Sequence, residues 1–232
     1  MNDDKNEKVS RRPIASRERV WARRAATGLK NAGVKPNTVS VMSFAFALLA
    51  AAALYGMTLD RVQFRWYERW TCLALIVAGV MGRLICNLLD GMVAVEGGLK
   101  TPAGEIYNDL PDRLSDLVIL VCLGLAASEG ADFPDFWVEM GWAAAALSIL
   151  TAYLRYLGAA CGVGHFFSGP MAKQHRMAMV IASVLGTAVL EPLLLETGSV
   201  FRFGLSVICL GAVLTCLNRL RKIVIALNAR AP

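Results

Sequence analysis

The sequence predicts an all-α integral membrane bundle of six transmembrane helices preceded by an amphipathic surface helix. Three observations predict it. The 232 residues are 56% hydrophobic with a mean hydropathy of +0.50, where soluble domains run at about 45–50% apolar. Apolar stretches long enough to cross a bilayer recur along the chain. The Lys and Arg residues gather at the two ends and in particular connections rather than evenly, as membrane topology demands.

Taken in order, residues 1–15 read as a disordered basic N-terminus, too polar to bury a core. Over 16–34, Val20, Trp21, Ala25 and Leu29 recur near helical spacing among Arg17, Arg19, Arg23, Arg24 and Lys30. This predicts an amphipathic juxtamembrane helix whose cations meet anionic lipid headgroups; a solvated basic tail is the plain alternative. A nucleic-acid partner is not expected, because the basic segment leads straight into membrane spans. Residues 35–222 form the six-helix membrane domain, and 223–232 a C-terminal tail. The first span covers 38–55, opened by Lys35-Pro36-Asn37-Thr38, a helix-start pattern. The second covers 71–95 and follows an interfacial connection bearing Trp66, Tyr67 and Trp70. The third covers 102–127 with Pro111 inside it, a residue expected to kink the helix and free a carbonyl. The fourth, fifth and sixth cover 136–161, 177–195 and 199–217, with a turn signal at Gly169-Pro170. No cleavable signal peptide is expected, since the first apolar run comes late and is long enough to span. The six Cys lie singly in apolar runs, so neither disulfides nor zinc are expected.

Orientation follows from charge. Ten Lys or Arg precede Pro36, and the C-terminal end is also basic. The connections after the second and fourth spans carry Lys100, Lys173 and Arg176, whereas that after the third (residues 128–135) has no Lys or Arg. Arg61, Arg65 and Arg69 in the first connection run against the rule. On balance both termini are cytoplasmic.

One stretch departs from the apolar plan. Residues 87–116 carry Asn87, Asp90, Glu96, Glu105, Asn108, Asp109, Asp112 and Asp116 between apolar runs. Carboxylates at membrane depth are costly and mark function. Asn87, Asp90 and Ala94 share one helix face, and Arg83 lies one turn earlier on it. Asn108, Asp112 and Asp116 share another face, with Glu105 beside them. Gly97-Gly98 through Pro102 make a plausible turn, so two antiparallel helices would bring their polar faces together. Oxygen ligands from two helices suit Mg²⁺ or Mn²⁺. Gly91 and Gly104 leave the backbone open to a ligand or a neighbouring helix.

This stretch resembles the signature of the CDP-alcohol phosphatidyltransferases, membrane enzymes of phospholipid synthesis, whose pattern is D-x2-D-G-x2-A-R-x8-G-x3-D-x3-D. Laid on this chain it falls without a gap on Asn87, Asp90, Gly91, Ala94, Val95, Gly104, Asn108 and Asp112. Five of these eight positions agree in type; Asn87, Val95 and Asn108 replace Asp, Arg and Asp. The resemblance implies transfer of a phosphatidyl group from CDP-diacylglycerol to an alcohol acceptor with release of CMP, dependent on Mg²⁺ or Mn²⁺. It places the metal at Asn87, Asp90, Asn108 and Asp112, and makes Asp112 the base. It puts nucleotide contacts at Gly91, Ala94 and Gly104, with Arg83 as a substitute for the missing arginine. It also implies a homodimer, and a bacterial inner-membrane protein with its active site cytoplasmic, the side on which CDP-activated lipid is made. The small polar residues opening the first span (PNTVS) likewise resemble the family, where they lie near the nucleotide.

The usual signature supplies four carboxylates for two divalent ions; here it supplies Asp90 and Asp112. Glu105 and Asp116 are available to add charge. A single metal ion, weaker binding of two, or a site altered beyond catalysis all remain open. Arg83 contacts a phosphate, pairs with Asp90, or snorkels to the interface. Arg155, Lys173 and Arg176 suit either an acceptor phosphate, such as that of glycerol 3-phosphate or inositol phosphate, or lipid headgroups. Two other functions stay in view: a CDP-linked small alcohol as donor to diacylglycerol, and a transporter or non-catalytic partner that uses the polar cleft for binding.

Overall fold

The computed structural model describes residues 20–59, 66–96, 102–194 and 196–230. The expected disordered N-terminus, the start of the amphipathic segment, the Gly97-Gly98 turn and Lys100 lie outside them. Seven helices and no strand occur among the described residues: α1 Val20–Asn31, α2 Pro36–Leu59, α3 Trp66–Glu96, α4 Gly104–Ser128, α5 Pro134–Ala160, α6 Lys173–Leu194 and α7 Ser199–Asn228.

Proline at the first position starts α2 and α5, where its missing N–H costs nothing. Gly198 precedes α7 with φ +78°, and a Cβ there would meet the Glu129 carbonyl oxygen at 2.7 Å. Only glycine fits that corner. Pro111 does not end α4, which is continuous from 104 to 128.

The helices pack in a chain of neighbours. α2 lies against both α3 and α4, α4 against α5 and α7, and α7 against α5 and α6, while α3 also touches α6. Small residues bring several pairs close. A Cβ on Gly124 of α4 would lie 2.7 Å from the Gly141 Cα of α5, and one on Gly79 of α3 would lie 2.7 Å from the Phe46 oxygen of α2. Such crossings suit a medium in which close packing, rather than expulsion of water, joins helices. One apolar core runs through α2 to α7, built around Leu54, Ile76, Leu120, Leu123, Phe201, Leu205 and Ile208.

Among the described residues, four helices are long and apolar enough to cross a membrane: α2, α3, α5 and α7. The expectation of six differs at α4 and α6, which carry Asp109, Asp112, Arg113 and Asp116, and Lys173, Arg176 and Glu191. These polar residues lower the hydropathy of the two helices, yet several are turned inward. Asp112, Asp116, Arg176 and Glu191 are all buried.

The amphipathic helix also packs on the bundle, a contact that its sequence did not show. Its buried residues are Ala22 and Ala26, set against Val39, Leu88, Leu89, Met92 and Val93, while Val20 and Trp21 are exposed. Alanine wins this face because only a small side chain lets α1 approach α3 closely. Arg23 and Arg24 remain exposed. At the other end of α3, Arg69 pairs with Glu191 of α6, whose second oxygen accepts from Gly198 N at 2.9 Å.

Candidate active site

α3 and α4 are not closely packed neighbours, and side chains bridge the gap between them. Deepest is Asp116, fully buried on α4. Its two oxygens accept from Arg83 Nη2 of α3 and Arg176 Nη2 of α6, each at 2.6 Å. Arg83 also donates to the Asp112 carbonyl at 3.2 Å, and Arg176 to the Met171 carbonyl at 3.0 Å and Thr151 Oγ1 at 3.2 Å. A buried charge must be paired and hydrogen-bonded to be tolerated. Here one carboxylate pairs with two guanidinium groups and ties three helices.

One turn nearer the end of α4, Asp112 is differently placed. Its Oδ2 accepts from Lys173 Nζ, whereas Oδ1 has no hydrogen-bond partner; Arg83 Nη2 lies 3.8 Å from it. Asp90 on α3 repeats the pattern. Its Oδ2 accepts from Ser40 Oγ of α2 at 2.7 Å, and its Oδ1 is buried without a partner. Asn87 leaves both side-chain polar atoms buried and unpartnered. Three oxygen-bearing groups named by the signature therefore each keep an open acceptor. Buried acceptors without partners are costly, and a bound cation would satisfy them. No group of three or more His, Cys, Asp or Glu side chains is gathered closely enough for a metal among the described residues; the amide of Asn87 falls outside such a grouping.

A cavity of about 480 Å³ opens here, lined by Asn87, Asn108, Asp109, Asp112, Arg113, Arg155, Lys173 and Arg176, with Trp21 and Phe167 adding aromatic surface. Asp109 accepts from Arg155 at 3.0 Å and from Arg113 at 3.4 Å. Arg155 also stacks over Tyr156, 4.5 Å from the ring centroid. The Nε atoms of Arg113, Arg155 and Arg176 are buried without a partner, so donors remain for an anion in this cavity. The 161–172 loop that closes one side is pinned to α7. Arg219 donates to the carbonyls of Thr151 and Ser168, and Met171 N donates to Thr215 Oγ1 at 2.9 Å. Gly169, with φ +134°, sits where a Cβ would meet Thr215 Cγ2 at 2.4 Å.

Asn87, Asn108, Asp112, Arg155, Lys173 and Arg176 thus come to one cavity. Asn108 and Glu105 are exposed, and Gly91, Ala94 and Gly104 are partly exposed near the ends of α3 and α4. Arg83 corrects its reading. It neither pairs with Asp90 nor snorkels, but is fully buried on Asp116 and does not line the cavity. The reason is register: on antiparallel helices, one turn back from Asn87 faces one turn on from Asp112. Asp116 is correspondingly engaged by arginines rather than open to a ligand. The side chains of Val95 and Glu96 lie outside the described residues.

The sequence reading missed Arg113 and Arg219 as site residues, and named Ser40 only within the PNTVS string. Arg113 follows Asp112 directly and was legible as a cation beside the proposed base. The pairings of Ser40 and Arg219 carried no signal, because their partners lie 50 and 51 or more residues away.

Among solved structures, the chain is similar to the phosphatidylinositol phosphate synthase of Mycobacterium tuberculosis with CDP-DAG bound. The TM-score is 0.65 at 19% identity, covering 87% of this chain and 92% of that one. The chain shares the fold of that synthase. The same synthase in complex with manganese and citrate gives 0.66 at 18% identity, covering 87% and 88%, and its apo form gives 0.63 at 18%, covering 86% and 94%. These neighbours are CDP-alcohol phosphatidyltransferases. No described family profile and no curated protein matches the chain by sequence.

Proposed function

We propose that the protein is a CDP-alcohol phosphatidyltransferase that moves a phosphatidyl group from CDP-diacylglycerol to a phosphorylated alcohol and releases CMP. The observation that carries this is the coincidence of two independent findings. Three of the eight signature positions, Asn87, Asn108 and Asp112, line one cavity, and 87% of the chain aligns with the fold of a synthase whose structure holds CDP-DAG.

The residues suit the chemistry. Asn87, Asp90 and Asp112, with Asn108 nearby, would hold Mg²⁺ or Mn²⁺ through the acceptors that no protein donor satisfies. A divalent cation bound there supplies electrostatic stabilisation to the pyrophosphate and to departing CMP. Manganese in a neighbour supports a divalent ion. Asp112 accepts the proton of the attacking hydroxyl at Oδ1, while Lys173 holds Oδ2 and fixes the carboxylate plane. Arg113, Arg155, Lys173 and Arg176 supply the positive lining for an acceptor phosphate, which favours glycerol 3-phosphate or inositol phosphate over an uncharged alcohol. Gly91, Ala94 and Gly104 leave room for the nucleotide. Asp116 and Arg83 act as framework.

In this reading α4 and α6 complete six spans, their polar residues sheltered inside the bundle. Both termini and the cavity face the cytoplasm of a bacterial inner membrane, α1 lies at the lipid surface, and two copies form a homodimer.

Purified protein should release CMP from CDP-diacylglycerol only with Mg²⁺ or Mn²⁺ and one phosphorylated acceptor. Release with a CDP-linked small alcohol and diacylglycerol would reverse the donor assignment. Absence of release with every donor would leave a binding role, as three departures from the signature allow.

A further inference from the structure

We infer that the Lys173 ammonium serves as a fixed cation of this site, so that the site takes one divalent cation rather than two. The inference rests on the transferase reading and concerns how its metal requirement is met in this chain.

The acceptors divide cleanly. Asp112 and Asp90 each have one oxygen committed to a protein donor and one open. The committed oxygen of Asp112 is held by a cation, Lys173 Nζ, which also lies within electrostatic reach of Asp90. The open oxygens are Asp112 Oδ1 and Asp90 Oδ1, on side chains that are 5% and 2% exposed, joined by the amide oxygen of Asn87. That set suits one hard cation.

Charge gives the same count. Asn87 and Asn108 contribute ligands without charge. Asp116 is more than neutralised by Arg83 and Arg176. The lining carboxylate Asp109 is held by Arg155 and Arg113. Asp112 on the lining and Asp90 within electrostatic reach of it are then the carboxylates with an open oxygen, and Lys173 offsets one of their two charges before any metal binds. A second dication would enter a site already positive with the first, with Arg113 and Arg155 on the same wall. At these separations like charges repel strongly in a medium of low dielectric. Lys173 is well placed for the role. It opens α6, its side chain is only 21% exposed, and Arg176 one turn on anchors that helix to Asp116.

The test is Mn²⁺ titration of the full-length protein in detergent, followed by electron paramagnetic resonance. One Mn²⁺ per chain with an uncoupled signal is expected. Lys173→Gln should admit a second ion or tighten binding by about tenfold or more, as removal of a like charge a few ångströms away predicts, whereas Lys173→Arg, which keeps the charge, should not. Two Mn²⁺ per chain with an exchange-coupled signal in the unsubstituted protein would overturn the inference. So would a Lys173→Gln protein that binds Mn²⁺ with unchanged number and affinity. If that variant does not fold, the unsubstituted stoichiometry decides alone, and the absence of any bound Mn²⁺ counts against the inference. CMP release assayed on the same preparation separates the two readings. Two ions with release refutes the role of Lys173 and leaves the transferase standing; neither ion nor release refutes both.

Discussion

Asp112 and Asp116 stand one helical turn apart on the same face of α4, and sequence spacing treats them alike. Asp116 has both oxygens held by arginines at 2.6 Å and no exposure. Asp112 has one oxygen held by Lys173 and the other open at the edge of a cavity. A carboxylate whose bonds are all satisfied by the protein has nothing left to offer a ligand, and one left half-satisfied does. The contrast continues outward, since Asn108, one further turn along, is exposed. Depth along the helix sorts an identical side chain into one with both oxygens held and one with an oxygen left over.

The comparison can be broken by neutralising each aspartate in turn. Asp116→Asn should cause the largest loss of stability, about 3–5 kcal/mol for a broken buried pair, because Arg83 and Arg176 would lose their shared charge. Thermal unfolding in detergent reads it. A melting temperature unchanged from the parent protein would remove Asp116 as the tie between α3, α4 and α6. Asp112→Asn should leave the melting temperature close to the parent value and lower CMP release by about 10²- to 10⁴-fold, the usual contribution of a positioned base. Retained turnover would take the base away from Asp112.

Smaller effects sharpen the picture. Arg113→Ala or Arg155→Ala should raise the KM for a phosphorylated acceptor about tenfold or more, matching loss of a hydrogen bond to a charged group. Neither should change the KM for the CDP-linked donor by a comparable factor; equal effects on both substrates would place these arginines elsewhere. Ser40→Ala removes the donor that orients Asp90. It should weaken Mn²⁺ binding by a few-fold, in keeping with a net hydrogen-bond contribution of about 1 kcal/mol. Titration of Mn²⁺ checks it, and unchanged affinity would show that helix packing alone orients Asp90.

Much of this site was legible from spacing. Asn87, Asn108 and Asp112 reach one cavity because helical periodicity put them on facing sides of two antiparallel helices, and Arg155, Lys173 and Arg176 join them from α5 and α6. The fate of Arg83 was not legible. Periodicity gives an angle around the helix and says nothing about which residue of another helix lies at the same depth. α1 shows the same limit. Its spacing gave an apolar face for the lipid surface and said nothing of the face that meets the bundle, which Ala22 and Ala26 occupy, because closeness of approach was decided by the partner helix.

By itself the sequence determined that the chain is helical and apolar, where its polar interruption falls, and which residues share each helix face. Those are local properties, set by period, composition and turn chemistry within a few residues. Tertiary structure alone decided that Arg83 and Arg176 converge on Asp116, that Ser40 holds Asp90, and that Lys173 takes one oxygen of Asp112 and leaves the other free. Each of these pairings joins residues 33 or more positions apart. Only the packing of whole helices fixes such distances, and a buried charge is stable only where that packing delivers a partner.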